Sequence, residues 1–327
     1  MQYGEKGKLI RGVGGLYEIA LDVGDTPLSG RTVTARAKGN FRHEGITPLV
    51  GDTVRVSFDE ASLARDEAGN LCSGTDGGGI VIEEILPRKN ALIRPPMANL
   101  EYLFITFAAA QPAPVLETVD KLVSIAEYNG IEPVIVIGKR DVAPEYAAEL
   151  QKIYNGAGFS AFSLSAGQGD GVAELRAFLT ENMTGKIAAF AGASGVGKST
   201  LLNALFPSLS LQTGEISRRI ERGRHTTRRV ELYPLGDLRG AYVADTPGFS
   251  MLDFVRFDFF TRDDAAGTMR EFEPYIGACR YKKCTHTREE GCAILAAVRE
   301  GRIAESRHRS FVAMYDALKN KHEWSKK

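Results

Sequence analysis

One stretch of the chain carries a complete phosphate-binding pattern. Its residues are Gly192, Ala193, Ser194, Gly195, Val196, Gly197, Lys198, Ser199 and Thr200, and they satisfy the spacing Gly-x4-Gly-Lys-Ser/Thr. Glycines allow backbone conformations that are closed to residues with a Cβ, so consecutive N–H groups can converge on one anion. Lys198 is expected to reach the β- and γ-phosphates and Ser199 to place its hydroxyl on Mg²⁺. The pattern predicts a nucleoside triphosphate site.

The segments on either side of this stretch suit that chemistry. Residues 186–191 form a short apolar run that is typical of a buried strand, and residues 200–205 begin an amphipathic helix. The N-terminus of such a helix adds about half a positive charge at the same point. A glycine-rich turn without a ligand is the alternative, and the complete pattern between strand and helix disfavours it.

A second motif follows at the end of a predicted strand. Residues 229–234 and 240–245 are predicted to form paired strands, and the second one ends in Asp245-Thr246-Pro247-Gly248. Downstream of a phosphate loop, such an Asp holds Mg²⁺ through water and the Gly N–H meets the γ-phosphate. Alone, this tetrapeptide is a common turn. Its position favours the functional interpretation for Asp245 and Gly248.

A guanine-binding motif is missing downstream of Gly248 but has a counterpart upstream. The buried run 133–137 ends in Gly138-Lys139-Arg140-Asp141, and Ser165-Ala166 follow another short run. A circular permutation would keep every strand of a parallel sheet in place, because chain termini often lie close together. We expect Asp141 to pair with the N1 and N2 donors of guanine. The residues expected around the base are Lys139, Arg140, Asp141, Ser165 and Ala166. Taken alone, residues 139–141 would be interpreted as a solvated turn.

Length and composition set the general class. The chain has 327 residues, of which 43% are hydrophobic and 25% charged, so we expect a soluble protein of two or three domains. No apolar run approaches the roughly 20 residues needed to cross a bilayer, and a cytoplasmic location is the default. The formal net charge is zero, but residues 217–230 contain six arginines and one acid. Charge alone does not separate a nucleic-acid surface from a solvated one.

The first 85 residues are predicted to form a small β-barrel. Five short segments have strand character, namely 9–13, 16–21, 31–36, 53–58 and 79–85. This number fits a closed barrel of the OB type, and such barrels often bind oligonucleotides. Arg36, Lys38, Arg42 and His43 are predicted to lie on one loop. A barrel that serves only as a spacer remains an equal alternative.

Beyond the barrel the pattern changes to alternating strands and helices. Prolines and lost periodicity predict a linker from Pro87 to Pro96. Strands are expected at 100–107 and 133–137 and helices at 115–129 and 144–154. This alternation indicates a mostly parallel sheet with helices on both faces.

Three of the four cysteines fall in a metal-binding pattern. The spacing is Cys279-x4-Cys284-x-His286-x5-Cys292, and three thiolates with one imidazole suit tetrahedral, structural zinc. Disulfides are disfavoured in a reducing cytoplasm, and three cysteines would leave one unpaired. Cys72 has no evident partner. Two helices are predicted after the cluster, at 293–300 and 306–320.

Together these features resemble the circularly permuted ribosome-assembly GTPases of the RsgA (YjeQ) family. The resemblance covers nearly the whole chain: the barrel, residues 87–90, the permuted motifs and the cysteine cluster. Its most specific parts are the phosphate loop, residues 223–227, residues 245–249 and the metal pattern.

The resemblance implies an architecture and an activity. We expect a multidomain α/β chain with an OB-fold RNA-binding barrel over residues 1–86, a circularly permuted P-loop GTPase domain over 87–252 and a helical zinc-binding domain over 253–327. Such a monomer would bind the small (30S) ribosomal subunit and its 16S rRNA late in assembly, without a membrane. It would hydrolyse GTP to GDP with Mg²⁺ held through Ser199 and Asp245, stimulated by the subunit. The nucleotide state would control rRNA binding and release.

Two positions depart from common GTPase patterns. Gly138 stands where the family has Asn, which removes a side-chain contact and predicts weaker nucleotide binding, with guanine preference kept through Asp141. Phe249 stands where many GTPases have a water-orienting Gln. His225 is the candidate for positioning that water, although an inert loop histidine is the alternative. Either Thr226 or Thr227 is expected to sense Mg²⁺ and the γ-phosphate.

Two other functions compete with this prediction. The phosphate loop does not choose a base, so an ATPase is possible from that motif alone; Lys139, Asp141 and Ser165-Ala166 argue against it. An RNA-binding scaffold whose nucleotide site barely turns over is the other rival, and Gly138 and Phe249 make it credible for the isolated protein.

Overall fold

The computed structural model describes residues 2–43, 45–65, 71–74, 78–92, 95–193, 195–207, 230–236, 238–245 and 260–324. For Gln2, Arg42, His43, Asp245 and residues 319–324 it describes the backbone only. The described residues belong to two compact units. The first draws on residues 1–100, 185–189 and 223–248, and the second on residues 101–184, 190–222 and 249–327.

The first unit contains a closed β-barrel. Its elements are β1 (Gln2–Val13), β2 (Leu16–Leu21), β3 (Thr32–Ala37), α1 (Asn40–His43), β4 (Thr53–Asp59), β5 (Ala64–Arg65), β6 (Leu71–Cys72) and β7 (Ile80–Ile85). The barrel strands follow the order β1-β2-β3-β7-β4, and β4 pairs back to β1. Only β3 and β7 run parallel among these barrel pairs. This order confirms the predicted OB-type barrel.

Alternating apolar side chains fill the barrel. Leu9, Ile19, Val54 and Ile82 are completely buried, as expected where every second residue of a strand points inward. Strand β1 starts seven residues earlier than predicted, because its polar first half gives no hydrophobic signal. Those residues close the barrel against β4, from Gln2↔Asp59 to Lys8↔Thr53.

The described residues of the predicted linker, 87–92 and 95–96, belong to the first unit. Two short strands, β8 (Ala91–Leu92) and β9 (Met97–Ala98), pair with each other. Arg88 forms a two-pronged ion pair with the buried Asp52, at 2.7 and 2.8 Å. The prolines removed the periodicity on which the prediction depended, and these side-chain bonds hold the segment in place instead.

The second unit contains a parallel sheet. Its elements are β10 (Tyr102–Ala108), α2 (Leu116–Tyr128), β11 (Glu132–Gly138), α3 (Pro144–Gly156), β12 (Ser160–Ser163), α4 (Val172–Asn182), the end of β13 (Ile187–Ala191) and α5 (Lys198–Leu205). The strand order is β12-β11-β10-β13, and β10, β11 and β12 pair in parallel. Every residue of β10 is buried, which explains its continuous apolar sequence. The parallel sheet is confirmed, and α4 is an element that the prediction missed.

Two further strands complete the first unit. They are β14 (Glu231–Pro234) and β15 (Tyr242–Asp245), which pair with each other as predicted, and their direction is antiparallel. Strand β15 runs parallel to β13, with Ile187 opposite Tyr242. Strand β14 also pairs with β1, with Arg11 opposite Glu231.

The C-terminal part of the second unit is helical. Short 3-10 turns span Ala265–Thr268 and Arg270–Tyr275, followed by α6 (Ala293–Arg299) and α7 (Glu305–Trp324). Both predicted helices are present, and α7 packs against α2. Within the described ranges, every helix is too short or too polar to span a bilayer.

Candidate functional site

The phosphate loop connects β13 to α5 and passes very close to β10. Gly192 has φ +153°, and a Cβ at this position would lie 2.1 Å from the Thr106 carbonyl oxygen. Gly197 has φ +98° directly before the helix, which starts at Lys198, two residues earlier than predicted. Glycine is therefore required at position 192 by space and at position 197 by backbone conformation.

Lys198 folds over the loop that precedes it. Its Nζ atom donates hydrogen bonds of 2.7 Å to the carbonyl oxygens of Gly192 and Ala193. Burial lowers the pKa of this ammonium group. Ser199 and Thr200 are exposed on the first turn of α5, while Ser194 lies outside the described residues. The ammonium group is thus held at the mouth of the loop, where a phosphate would meet it.

The structure brings the upstream motif to the phosphate loop. A Cβ on Gly138 would lie 3.3 Å from the Val196 carbonyl oxygen and 3.6 Å from that of Phe107. Lys139 has φ +60° and donates from Nζ to the Gln111 carbonyl oxygen. Parts of the chain separated by more than fifty residues therefore meet at the carboxyl ends of the strands, where open α/β sheets bind ligands.

The remaining residues of the upstream motif contact the turn after β12. Asp141 is exposed, and its Oδ2 accepts a 3.4 Å hydrogen bond from Gln168. Ser165 is buried and donates its N–H to the Asp170 carbonyl oxygen at 2.8 Å. Ala166 is half-buried on the same turn.

Arg140 forms an ion pair with both carboxylate oxygens of Asp170. Its Nε lies 2.9 Å from Asp170 Oδ2, and its Nη2 contacts the other carboxylate oxygen. Sequence reasoning missed Gln168 and Asp170. The polar, glycine-rich stretch Gly167 to Gly171 is typical of a turn, but nothing in its spacing shows which side chains contact the 138–141 segment.

Several predicted residues lie outside the described residues or are described by their backbone alone. Asp245 ends β15 by its backbone, with no description of its side chain. His225, Thr226, Thr227, Gly248 and the six arginines of residues 217–230 lie outside the described residues. Their roles stay predictions.

The four predicted metal ligands form one compact cluster. The ligand atoms of Cys279, Cys284, His286 and Cys292 all lie within 4.8 Å of one another. Cys279 Sγ lies 3.9 Å from Cys292 Sγ and 3.5 Å from His286 Nδ1. Tetrahedral zinc with its usual bond lengths requires an S···S distance of ~3.8 Å and an S···N distance of ~3.6 Å. The donor set and its spacing fit a zinc ion.

The electrostatics of the cluster favour a bound cation. Burial raises the pKa of Cys284 to about 12 and also raises that of Cys292. Burial lowers the pKa of His286. Without a cation the thiols would stay protonated, and a divalent ion reverses this preference by stabilising thiolates.

Surrounding groups hold the cluster in shape. Glu289 accepts hydrogen bonds from the Thr285 N–H at 2.8 Å and from the Thr287 and Arg288 N–H groups at 3.2 Å. Burial would raise the pKa of Glu289, but hydrogen bonds from Thr285 and the backbone lower it to about 2. The carboxylate is therefore charged at neutral pH and fixes the ligand loop.

Family models match both parts of the chain. A model described as RsgA GTPase matches residues 85–255, and one described as RsgA N-terminal domain matches residues 6–64. The first covers more than half of the 327 residues.

The chain belongs to the RsgA GTPase family.

Relatives and solved structures agree with this assignment. A Moorella thermoacetica protein named small ribosomal subunit biogenesis GTPase RsgA is 40% identical, covering 94% of this chain and 95% of its own. A Caldanaerobacter subterraneus protein of the same name is 38% identical, covering 97% and 96%. The crystal structure of YjeQ from Thermotoga maritima matches with a TM-score of 0.75 and 29% identity over 97% of this chain and 99% of that one. YloQ, described as a circularly permuted GTPase, matches with a TM-score of 0.73 and 28% identity over 98% and 96%.

Family membership confirms the predicted resemblance and the permuted GTPase fold. An RsgA-family chain is a GTP-hydrolysing enzyme, so the ATPase alternative is set aside.

The predicted basic loop of the barrel is only partly as expected. Arg36 lies within β3, Arg42 and His43 lie within α1, and Lys38 forms an ion pair with Glu83 at 2.6 Å.

Proposed function

We propose that this RsgA-family chain hydrolyses GTP while bound to the small ribosomal subunit, and that its nucleotide state controls rRNA binding and release. The names of the relatives from Moorella and Caldanaerobacter motivate the proposed partner. The observation that carries the proposed site is the closeness of position 138 to the phosphate loop, since a Cβ added to Gly138 would lie 3.3 Å from the Val196 carbonyl oxygen. It joins the base-recognition motif to the phosphate loop despite the permuted chain order.

Each predicted residue has a proposed task. Lys198 binds the β- and γ-phosphates, and Asp141 pairs with guanine while Lys139, Arg140, Ser165 and Ala166 surround the base. The phosphate-loop backbone and Gly248 donate N–H groups to the phosphates. Ser199 and Asp245 would hold Mg²⁺, which neutralises phosphate charge. Thr226 or Thr227 senses the γ-phosphate, and His225 positions the attacking water.

The C-terminal region is proposed to be a zinc-stabilised RNA contact. Cys279, Cys284, His286 and Cys292 would hold the ion. Beside them Arg280, Tyr281, Lys282 and Lys283 are all exposed, and Arg280 lies over the Tyr281 ring at 5.6 Å. Cations beside an aromatic ring suit RNA. We also propose that the domain boundaries lie near residues 86 and 252. The protein is proposed to be a monomer and to be located in the cytoplasm.

GTP turnover with and without 30S subunits tests the proposal. We expect the subunit to increase turnover by the wild type, and Lys198→Ala to abolish it because the phosphates lose their cation. Binding to 30S should differ between GDP and a non-hydrolysable GTP analogue. The proposal would be refuted if 30S subunits did not change GTP turnover, or if the protein bound 30S subunits equally with GDP and with the GTP analogue. Subunit binding without turnover would favour the scaffold alternative.

A further inference from the structure

Residues 138–141 form the proposed guanine-recognition loop. Its side chains contact the turn of residues 165–170, whereas position 138, a glycine, offers no side chain to the phosphate loop. At Gly138 a Cβ would lie 3.3 Å from the Val196 carbonyl oxygen, so an amide side chain there could donate to the phosphate loop. Glycine makes no such bond. Lys139 contacts the Gln111 carbonyl oxygen and the Gly138 carbonyl oxygen accepts from the Ala109 N–H, and the loop of residues 138–141 is also held from its other side.

That other side is the turn of residues 165–170. The Arg140 N–H donates to the Leu164 carbonyl oxygen at 3.1 Å, and the Ser165 N–H closes the turn on Asp170. The Arg140 guanidinium then holds the Asp170 carboxylate with two contacts. Gln168, on the same turn, donates to Asp141. The Arg140–Asp170 ion pair thus joins the 138–141 loop, which carries Asp141, to the 165–170 turn, which carries Gln168.

We propose that Arg140 and Asp170 form a positioning pair for guanine recognition, which holds the 165–170 turn against the 138–141 loop and fixes the Asp141 carboxylate toward the base. This inference rests on the proposed assignment of Asp141 to guanine. The pair substitutes for the missing side chain at position 138. The mutual hydrogen bonds raise the pKa of Arg140 and lower that of Asp170, so both groups are charged at neutral pH.

A comparison of GDP binding with IDP binding distinguishes a misplaced Asp141 from a general disruption of the nucleotide site. Guanine offers two donors to the carboxylate, and hypoxanthine lacks the exocyclic one, so a misplaced Asp141 costs GDP more than IDP. We expect Arg140→Gln and Asp170→Asn each to weaken GDP binding about threefold, the scale of an exposed pair, and IDP binding less. The charge-swapped double variant, Arg140→Asp with Asp170→Arg, should recover most of the loss. In a Gly138→Asn background the same substitutions should weaken GDP binding less, because the new amide contact to the phosphate loop would also hold the 138–141 loop in place.

Calorimetric titration of the full chain with GDP, IDP and ADP makes the test. Arg55→Gln is the matched control, because Arg55 forms an exposed pair with Glu84 in the barrel. Thermal melting identifies variants that fail to fold, and the Asp170 variant then replaces the Arg140 variant. The proposal is overturned if both single variants bind GDP as the control does, or if they lose GDP and IDP equally without recovery in the swap. Wild type that binds ADP as tightly as GDP would instead refute the proposed function itself.

Discussion

Arg307 Nη1 lies 2.5 Å from Asp120 Oδ1, and each of these side chains is only 1% exposed. Arg307 Nε also binds Glu271 at 2.7 Å, and the Tyr154 hydroxyl donates to the same Asp120 oxygen at 2.9 Å. Burial alone would lower the pKa of Arg307, but the two carboxylates raise it. The network joins α7 to α2 through charges that water does not reach.

We expect Arg307→Met to destabilise the protein by about 3–5 kcal/mol, because the substitution leaves buried carboxylates without a cation. Urea unfolding followed by circular dichroism measures the loss. Arg302→Met is the control, since Arg302 pairs with Glu300 at the surface, and its midpoint should match the wild type. An Arg307 variant as stable as this control would show that the network contributes nothing. The Asp120→Leu, Arg307→Met double variant should cost less than the two single losses together.

Gly192 and Gly195 differ in how much space a side chain would have. In Gly192→Ala the new Cβ would collide with the Thr106 carbonyl oxygen, so we expect a loss of about 2–4 kcal/mol in GDP affinity and stability together. Gly195 has φ +80°, and among the described residues a Cβ added there would meet only Pro112 Cδ, at 4.0 Å, so Gly195→Ala adds backbone strain of about 1–2 kcal/mol. GDP titration and thermal melting of both variants decide the ranking. Equal losses would contradict the close approach to β10.

Restoring a side chain at position 138 should strengthen nucleotide binding. The backbone of Gly138 has no positive φ, so Asn is compatible with it once the Val196 carbonyl moves by a few tenths of an ångström. A new hydrogen bond is worth about 0.5–1.5 kcal/mol, and GDP affinity should rise accordingly. Gly138→Ala supplies the Cβ without the amide and should give no gain. If Ala and Asn have the same effect, the hydrogen bond does not form.

The metal proposal predicts different outcomes for two cysteines. Cys292→Ser removes a thiolate from the cluster, and zinc content should fall from about one ion per chain to a small fraction. Cys72→Ser changes a cysteine in the barrel unit and should keep the metal. Elemental analysis of the purified proteins measures both. A Cys292 variant with full zinc content would show that the ligand set is wrong.

Much of the fold was predictable because local patterns carried it. The apolar run of β10, the alternation in the barrel and the metal spacing all appear within short windows of sequence. Contacts across the chain were not predictable in this way. The Arg88–Asp52 pair and the Arg140–Asp170 pair join residues 36 and 30 positions apart, and no local period announces such partners. The prediction of where β1 begins was wrong for a related reason. The position of its polar first half is set by pairing with β4 rather than by its own side chains.

Strand β1 has a second neighbour besides the barrel, because Arg11 also pairs with Glu231 of β14. A shortened protein that begins at residue 87 would strip β14 of this neighbour and leave its N–H and C=O groups open on that side. Unprotected strands of this kind invite other chains to add to them. The barrel is therefore a poor segment to discard when a smaller, soluble version of the enzyme is wanted.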